Sequence, residues 1–153
     1  MNWKSEAVER LRRYDAMNTA LKNIPEELER LEYNARGIKA SRFDRVPVKG
    51  GISTREDALL TNMVQRQELE WSMQQAKLWL STTDRALSAL SSEDRLVLHR
   101  MYISRERGGV DRLCSELGCE QSTIYRRRDK ALYRFTLALY GFSESQIAAA
   151  REN

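Results

Sequence analysis

From Ser53 to Leu90 the chain contains neither glycine nor proline. A segment this long with no breaker has no cheap place to reverse, so it predicts one continuous helix. At 1.5 Å per residue, Thr54 to Leu90 would run about 55 Å. Ser53 and Glu56 have the spacing of a capping box, and Asp57 adds negative charge to the first turn. The later half carries Leu69, Met73, Ala76, Leu80, Thr83, Leu87 and Leu90 in strict four-three steps, one face of a helix. Leu60, Val64, Trp71 and Leu78 fall on a neighbouring or opposite face. A helix with two apolar faces must bury both. The segment before it can fold back and cover one. The other needs the C-terminal part of the chain or a second copy, and a homodimer is expected.

The same scarcity of breakers holds throughout. Among 153 residues there are 7 Gly and 2 Pro, which excludes a collagen-like chain, a Pro-rich linker and a turn-dense β-barrel. The expected fold class is all-α, with the size of one ordinary domain or two very small ones. No run of about 20 apolar residues is present, so no membrane span is expected. The opening MNWKSEAVERLRRYD has no apolar signal core. A cytoplasmic protein with mildly basic character is the expectation, the net charge being +4.

Ahead of the long helix, Tyr14, Met17, Leu21, Ile24, Leu28, Leu31, Ala35 and Ile38 alternate steps of three and four, the pattern of a coiled-coil seam. Pro25 interrupts it with Glu26 and Glu27 behind, which suits the first turn of a new helix. Two helices, or one kinked helix, are expected to end at Gly37. The stretch from Gly37 to Ile52 contains Pro47, Gly50 and Gly51. With Arg36 just ahead of it, Lys39, Arg42, Arg45 and Lys49 make it basic, and only Asp44 is acidic. It reads either as a solvated connector or as a basic arm for nucleic acid or a partner's acidic face.

Beyond Ser91 the elements become short. A helix is expected from Ser92, with Glu93 and Asp94 in its first turn and Leu96, Val97, Leu98, Met101 and Tyr102 on its apolar side. A charged turn, Ser104 to Gly109, follows. Further helices are expected over about Val110 to Leu117 and from near Glu120 to about Tyr140. A last short one, Ser143 to Ala150, has Gln146 three residues after its Ser. The middle of this region is a helix-turn-helix pattern. Leu113 and Leu117 turn inward, Gly118 permits a tight turn through positive φ, Cys119 tucks under it, and Ile124 anchors the next helix. Polar Glu120, Gln121, Ser122 and Thr123 then open a helix where a recognition helix presents side chains to base edges. Residues 120–134 hold five basic and two acidic side chains. The domain division expected is a helical oligomerisation or partner region over 1–90, including the basic connector 37–52, and a DNA-binding helix-turn-helix domain over 91–153.

Leu96-Val97-Leu98 with Met101-Tyr102, Val110 to Leu113, Leu117-Gly118-Cys119, Ser122 to Arg126 and Lys130-Ala131-Leu132 resemble the promoter-binding fourth region of bacterial sigma factors. The likeness is closest to the small phage sigma-like regulators of the ArpU and RinA type. It covers about residues 91–141, and Cys119 and Glu120 depart from its usual small apolar residue followed by Ser or Thr. The Pro47 to Gly51 connector is similar as well. The resemblance implies a sequence-specific transcription regulator of phage or prophage late-gene type, acting on double-stranded DNA in the cytoplasm of a bacterial host. It implies that Gln121, Ser122, Tyr125 and Arg126 face bases, Gln pairing with adenine and Arg with guanine. It implies that Arg112, Thr123, Arg128 and Lys130 meet phosphates, which position the protein without reading sequence. Arg127, three residues after Ile124, is expected to lie partly inward with its head snorkelling out.

Other chemistries find little footing. Cys114, Cys119 and His99 are one ligand short of a closed zinc site and match no finger spacing, so no metal or cofactor is expected. A lone histidine with no nucleophile constellation, and the lack of a phosphate-cradling glycine loop of the Walker type, point away from an enzyme. Trp71 and Trp79 read as core or interface anchors rather than base-stacking platforms. Two other functions share a helix-turn-helix joined to long helices. One is a DNA-packaging protein of the small terminase kind. The other is an adaptor whose helices grip RNA polymerase.

Overall fold

A computed structural model describes residues 2–40, 51–142 and 148–149 of the chain. Every regular element among them is helical: α1 (Trp3–Arg12), α2 (Tyr14–Ala40), α3 (Gly51–Ser88), α4 (Ser92–Leu98), α5 (Gly109–Leu117) and α6 (Gln121–Tyr140). A π-helical segment, His99–Ile103, prolongs α4. The chain is all-α, and no described helix is long and apolar enough to cross a membrane.

The first segment departs from its expected break. Pro25 lies inside α2 rather than at a helix start, and α2 runs through Gly37 to Ala40. A proline there removes the amide that would pair with the carbonyl four residues back, at a cost of about 3 kcal/mol. The helix persists because its seam is anchored on either side, with Ile24, Leu31 and Ala35 all buried. The interruption falls instead at Arg13 and is slight. Its amide still donates to the Glu9 carbonyl at 3.1 Å, and its carbonyl accepts from Met17 at 2.9 Å. The long helix spans nearly the expected range, beginning at Gly51. Ser53 therefore lies inside α3, in its first turn, rather than at the N-cap expected for it; the connector residues 41–50 and most of the expected Ser143 to Ala150 helix lie outside the described residues.

Contacts divide the chain into two compact units. One comprises residues 18–78, from α2 and the first part of α3. Within it the Asn62 side-chain amide donates to the Leu31 carbonyl at 2.8 Å, and Arg66 Nε donates to the Asn62 oxygen at 2.9 Å. The buried amide is therefore satisfied on both ends, which removes the penalty of placing it in an apolar seam.

The other unit comprises residues 1–17 and 79–153, so its boundary differs from the expected one at Leu90. It adds α1 and the end of α3 to the helix-turn-helix. Trp3, Ala7, Leu11 and Tyr14 recur at helical spacing. Ala7 and Leu11 are completely buried against Ala86, Leu90, Leu98, Ile103, Leu132 and Phe135. The Trp3 ring packs tilted against Tyr140 and edge-to-face with Phe142, with ring centroids 4.9 and 4.8 Å away. Arg10 Nη1 donates to Thr82 Oγ1 at 2.9 Å and to the Trp79 carbonyl at 3.2 Å. Its guanidinium also lies 5.0 Å from the Trp79 ring centroid. At the start of α4, Ser91 Oγ accepts from the Asp94 amide at 3.2 Å.

Candidate nucleic-acid interface

The helix-turn-helix is built around three side chains with no exposed surface: Val97 from α4, Leu113 from α5 and Ile124 from α6. Leu117 and Cys119 pack against them from the turn. Gly118 ends α5 at φ +63°, and its amide donates to the Cys114 carbonyl. A side chain there would be strained by the backbone alone, since an added Cβ meets nothing within 4 Å. Glu120 occupies the N-cap position of α6 in an extended conformation and makes no side-chain cap bond. The first amides of α6 are thus left without the side-chain acceptor that Ser or Thr would supply.

The residues read from sequence divide over two stripes of α6. Ile124, Arg127 and Arg134 face α4. Arg127 Nη1 donates to Glu93 at 2.6 Å, and Arg134 Nη1 to the buried Asp94 at 2.5 Å. Arg127 is thereby a structural residue with a half-exposed head. Gln121, Ser122, Tyr125, Arg126 and Lys130 are all exposed. Among the described residues neither Arg126 nor Lys130 has an ion-pair partner. Thr123 is half-buried, its amide donating to the Glu120 carbonyl at 3.1 Å. Gln121 Nε2 donates to Asp111 at 3.1 Å, tying the start of α6 to α5. Arg112 Nη1 donates to Glu106 at 2.6 Å and so reaches a phosphate only by leaving that carboxylate. Arg128 is half-buried, 5.1 Å from the Tyr125 ring centroid, and bonds Asp129 at 3.0 and 3.1 Å. Asp129, one of the two acidic residues in 120–134, sits on the exposed side among these cations.

Beside the start of α6 lies a cavity of about 750 Å³. Five arginines line it: Arg12 from α1, Arg100 from the π-helical segment, Arg105 and Arg107 from the turn before α5, and Arg128 from α6. Only Glu106 and Asp111 oppose them on the lining. Tyr102 is also there. Burial pushes its hydroxyl up in pKa, while Arg128 and Arg12 draw it down and Asp129 pushes it up. Arg12 and Arg100 were not among the residues singled out from sequence. Their only sequence signal is a basic residue next to an apolar one at a helix end, which is common on solvated surfaces.

The two cysteines are free and half-buried. Burial pushes the Cys114 thiol up, and nearby Cys119 and Asp111 add to the effect. Among the described residues no three of His, Cys, Asp and Glu come together as a metal-ligand set.

No curated protein and no solved structure matches this chain. Residues 38–136, which run from the end of α2 through most of α6, match a family described as "Protein of unknown function (DUF1492)". The match takes in well over half of the chain, including α3, α4 and the whole helix-turn-helix, and the chain belongs to that family.

Proposed function

We propose that this protein binds double-stranded DNA through α5 and α6 and regulates transcription in a sequence-specific way, as its resemblance to sigma-like phage regulators implies. One observation carries the reading. The start of α6, docked on α4 and α5 through Ile124 and the Gly118 turn, keeps Gln121, Ser122, Tyr125 and Arg126 exposed together. Such an exposed helix start, with Arg126 and Lys130 free of ion pairs among the described residues, has the form that enters a major groove. Phosphate attraction supplies most of the affinity, and the polar side chains at the helix start supply discrimination.

A partner on α3 is part of the same proposal. Leu60, Val64 and Trp71 are exposed on that helix, Trp71 at 64%. Apolar side chains of this size, spaced along one helix, suit a second copy or RNA polymerase. A homodimer is the reading put forward, and a small terminase-like assembly is the rival.

The direct test is selection of bound sequences from a random duplex library, followed by mapping of the sites occupied in cells. Recovery of a defined motif upstream of transcription units is the expected result. Failure of the full chain to retain any duplex DNA at low salt would remove the proposal.

A further inference from the structure

The arginine cavity is not a run of neighbouring charges. Its arginines come from positions 12, 100 to 107 and 128, which only the fold brings together. Like charges gathered in a concavity repel one another, and less water is present to screen them than on an open surface. Some of that charge is neutralised in place. Arg100 donates to Glu116 at 2.7 Å, and Arg128 is held by Asp129. The two lining carboxylates are themselves engaged, Glu106 by Arg112 and Asp111 by Gln121. Among the described residues no ion pair reaches Arg12, Arg105 or Arg107, and all three are exposed.

Two further observations point to an anion with several oxygens. Every cation on the lining is arginine, whose planar fork matches phosphate oxygens in pairs. Gly108, at φ +74°, is the N-cap of α5 and offers no side-chain acceptor to the first amides of that helix, and Gly108, Gly109 and Val110 all line the cavity. An added Cβ at Gly108 would meet nothing within 4 Å, so a ligand can approach that stretch of backbone, whereas Gly109 is buried and its amide already donates to the Glu106 carbonyl at 3.2 Å.

We infer that this cavity is a phosphate-binding site, and that Arg12 at the end of α1 is one of its ligand-holding residues together with Arg105 and Arg107. Gln121 and Tyr125 stand on the rim of the same cavity. On the proposed function, the occupant is a backbone phosphodiester of the strand lying in front of α6. The same chemistry would also accept a free phosphorylated nucleotide. This inference rests on the DNA-binding reading only for the choice between those two sources.

The experiment uses the full chain and two variants, Arg12→Gln and Arg107→Gln, both at exposed positions, with thermal melts to verify folding. Binding to mixed-sequence duplex DNA is measured between 50 and 200 mM salt. Binding of pyrophosphate and of ATP is measured by calorimetry without DNA. Each variant is expected to lower the slope of log affinity against log salt by about one, and to weaken binding roughly five- to tenfold near 0.1 M salt. If the unsubstituted chain binds DNA and both folded variants keep its slope and its response to the small ligands, the cavity is not a phosphate site, while the DNA reading stands. If the chain ignores DNA but binds ATP or pyrophosphate through Arg12 and Arg107, the phosphate site stands and the DNA reading falls. If neither DNA nor the small ligands bind, both fall.

Discussion

Arg126 and Lys130 are four residues apart on the same helix, both exposed and both free of carboxylate partners among the described residues, yet they are expected to behave differently. On the proposed reading Arg126, in the second turn of α6, faces base edges. Replacing it with Ala should cost about 1–3 kcal/mol of specific binding and relax preference at one base pair. Lys130 lies one turn further along and, on the same reading, meets a phosphate. Lys130→Ala should weaken all sequences alike and lower the salt slope by about one. Titrations of an operator and a scrambled duplex with both variants separate the two roles, and identical losses on the two duplexes for Arg126→Ala would contradict its base-facing role. A different kind of residue test is available at Cys114. Its raised pKa means less thiolate near neutrality, so it should react with Ellman's reagent at pH 8 more slowly than a small free thiol. The folded state holds this proton more tightly than the unfolded chain does. Its contribution to stability is therefore complete below the ordinary thiol range and lost as pH rises through the raised value. Equal rates in the folded protein and in urea would show that burial does not protect the thiol.

At the scale of elements, the turn between α5 and α6 depends on a single backbone conformation. Gly118→Ala adds a methyl group into open space, so packing is unaffected and the whole cost is the left-handed φ. That cost is about 1–2 kcal/mol, and Gly118→Asn should recover part of it because Asn tolerates this region. Urea denaturation of both variants measures the difference. From Ser92 to Tyr140 the helices themselves were legible in the sequence to within a residue or two, because caps, glycines and apolar spacing agree there. Ser91 caps α4, and Gly118 and Gly141 close α5 and α6 with positive φ. Around Pro25 the local signals conflicted. Proline argued for a boundary and the seam of Ile24, Leu28 and Leu31 argued for continuity, and burial of the seam outweighed the missing hydrogen bond. At Arg13 nothing in the local sequence marks the interruption that the structure shows.

For the whole molecule, the decisive feature is that α1 completes the core of the unit carrying the helix-turn-helix. Leu11→Ala should destabilise that unit by about 2–5 kcal/mol, as deletion of a fully buried leucine elsewhere does. The isolated fragment 91–153 lacks Ala7, Leu11, Ala86 and Leu90 and should show no cooperative melt. A sharp thermal transition from that fragment would mean that α1 is dispensable. The proposed dimer is a separate matter. Light scattering at micromolar concentration should give twice the chain mass of 17.8 kDa, and Trp71→Glu should return it to the monomer value. A monomeric mass for the unsubstituted chain would remove the homodimer, and a large ring would favour the packaging reading.

The all-α class, the length of α3 and the helix-turn-helix follow from the sequence by itself, because each rests on local causes: few breakers, a period near 3.6 and a glycine where φ must be positive. The exposure of Gln121, Ser122, Tyr125 and Arg126 was legible for the same reason, since Ile124 determines which side of α6 turns inward. Only the tertiary structure decided that Trp3, Ala7 and Leu11 belong with α4 and α6 rather than with the helices that follow them in the chain. An apolar helix face states that it must be covered and says nothing of what covers it. The arginine cavity is tertiary for a related reason: in the sequence Arg12, Arg100 and Arg107 each look like an ordinary solvated cation, and they line one cavity with Arg128 only once α1 packs against the rest of its unit.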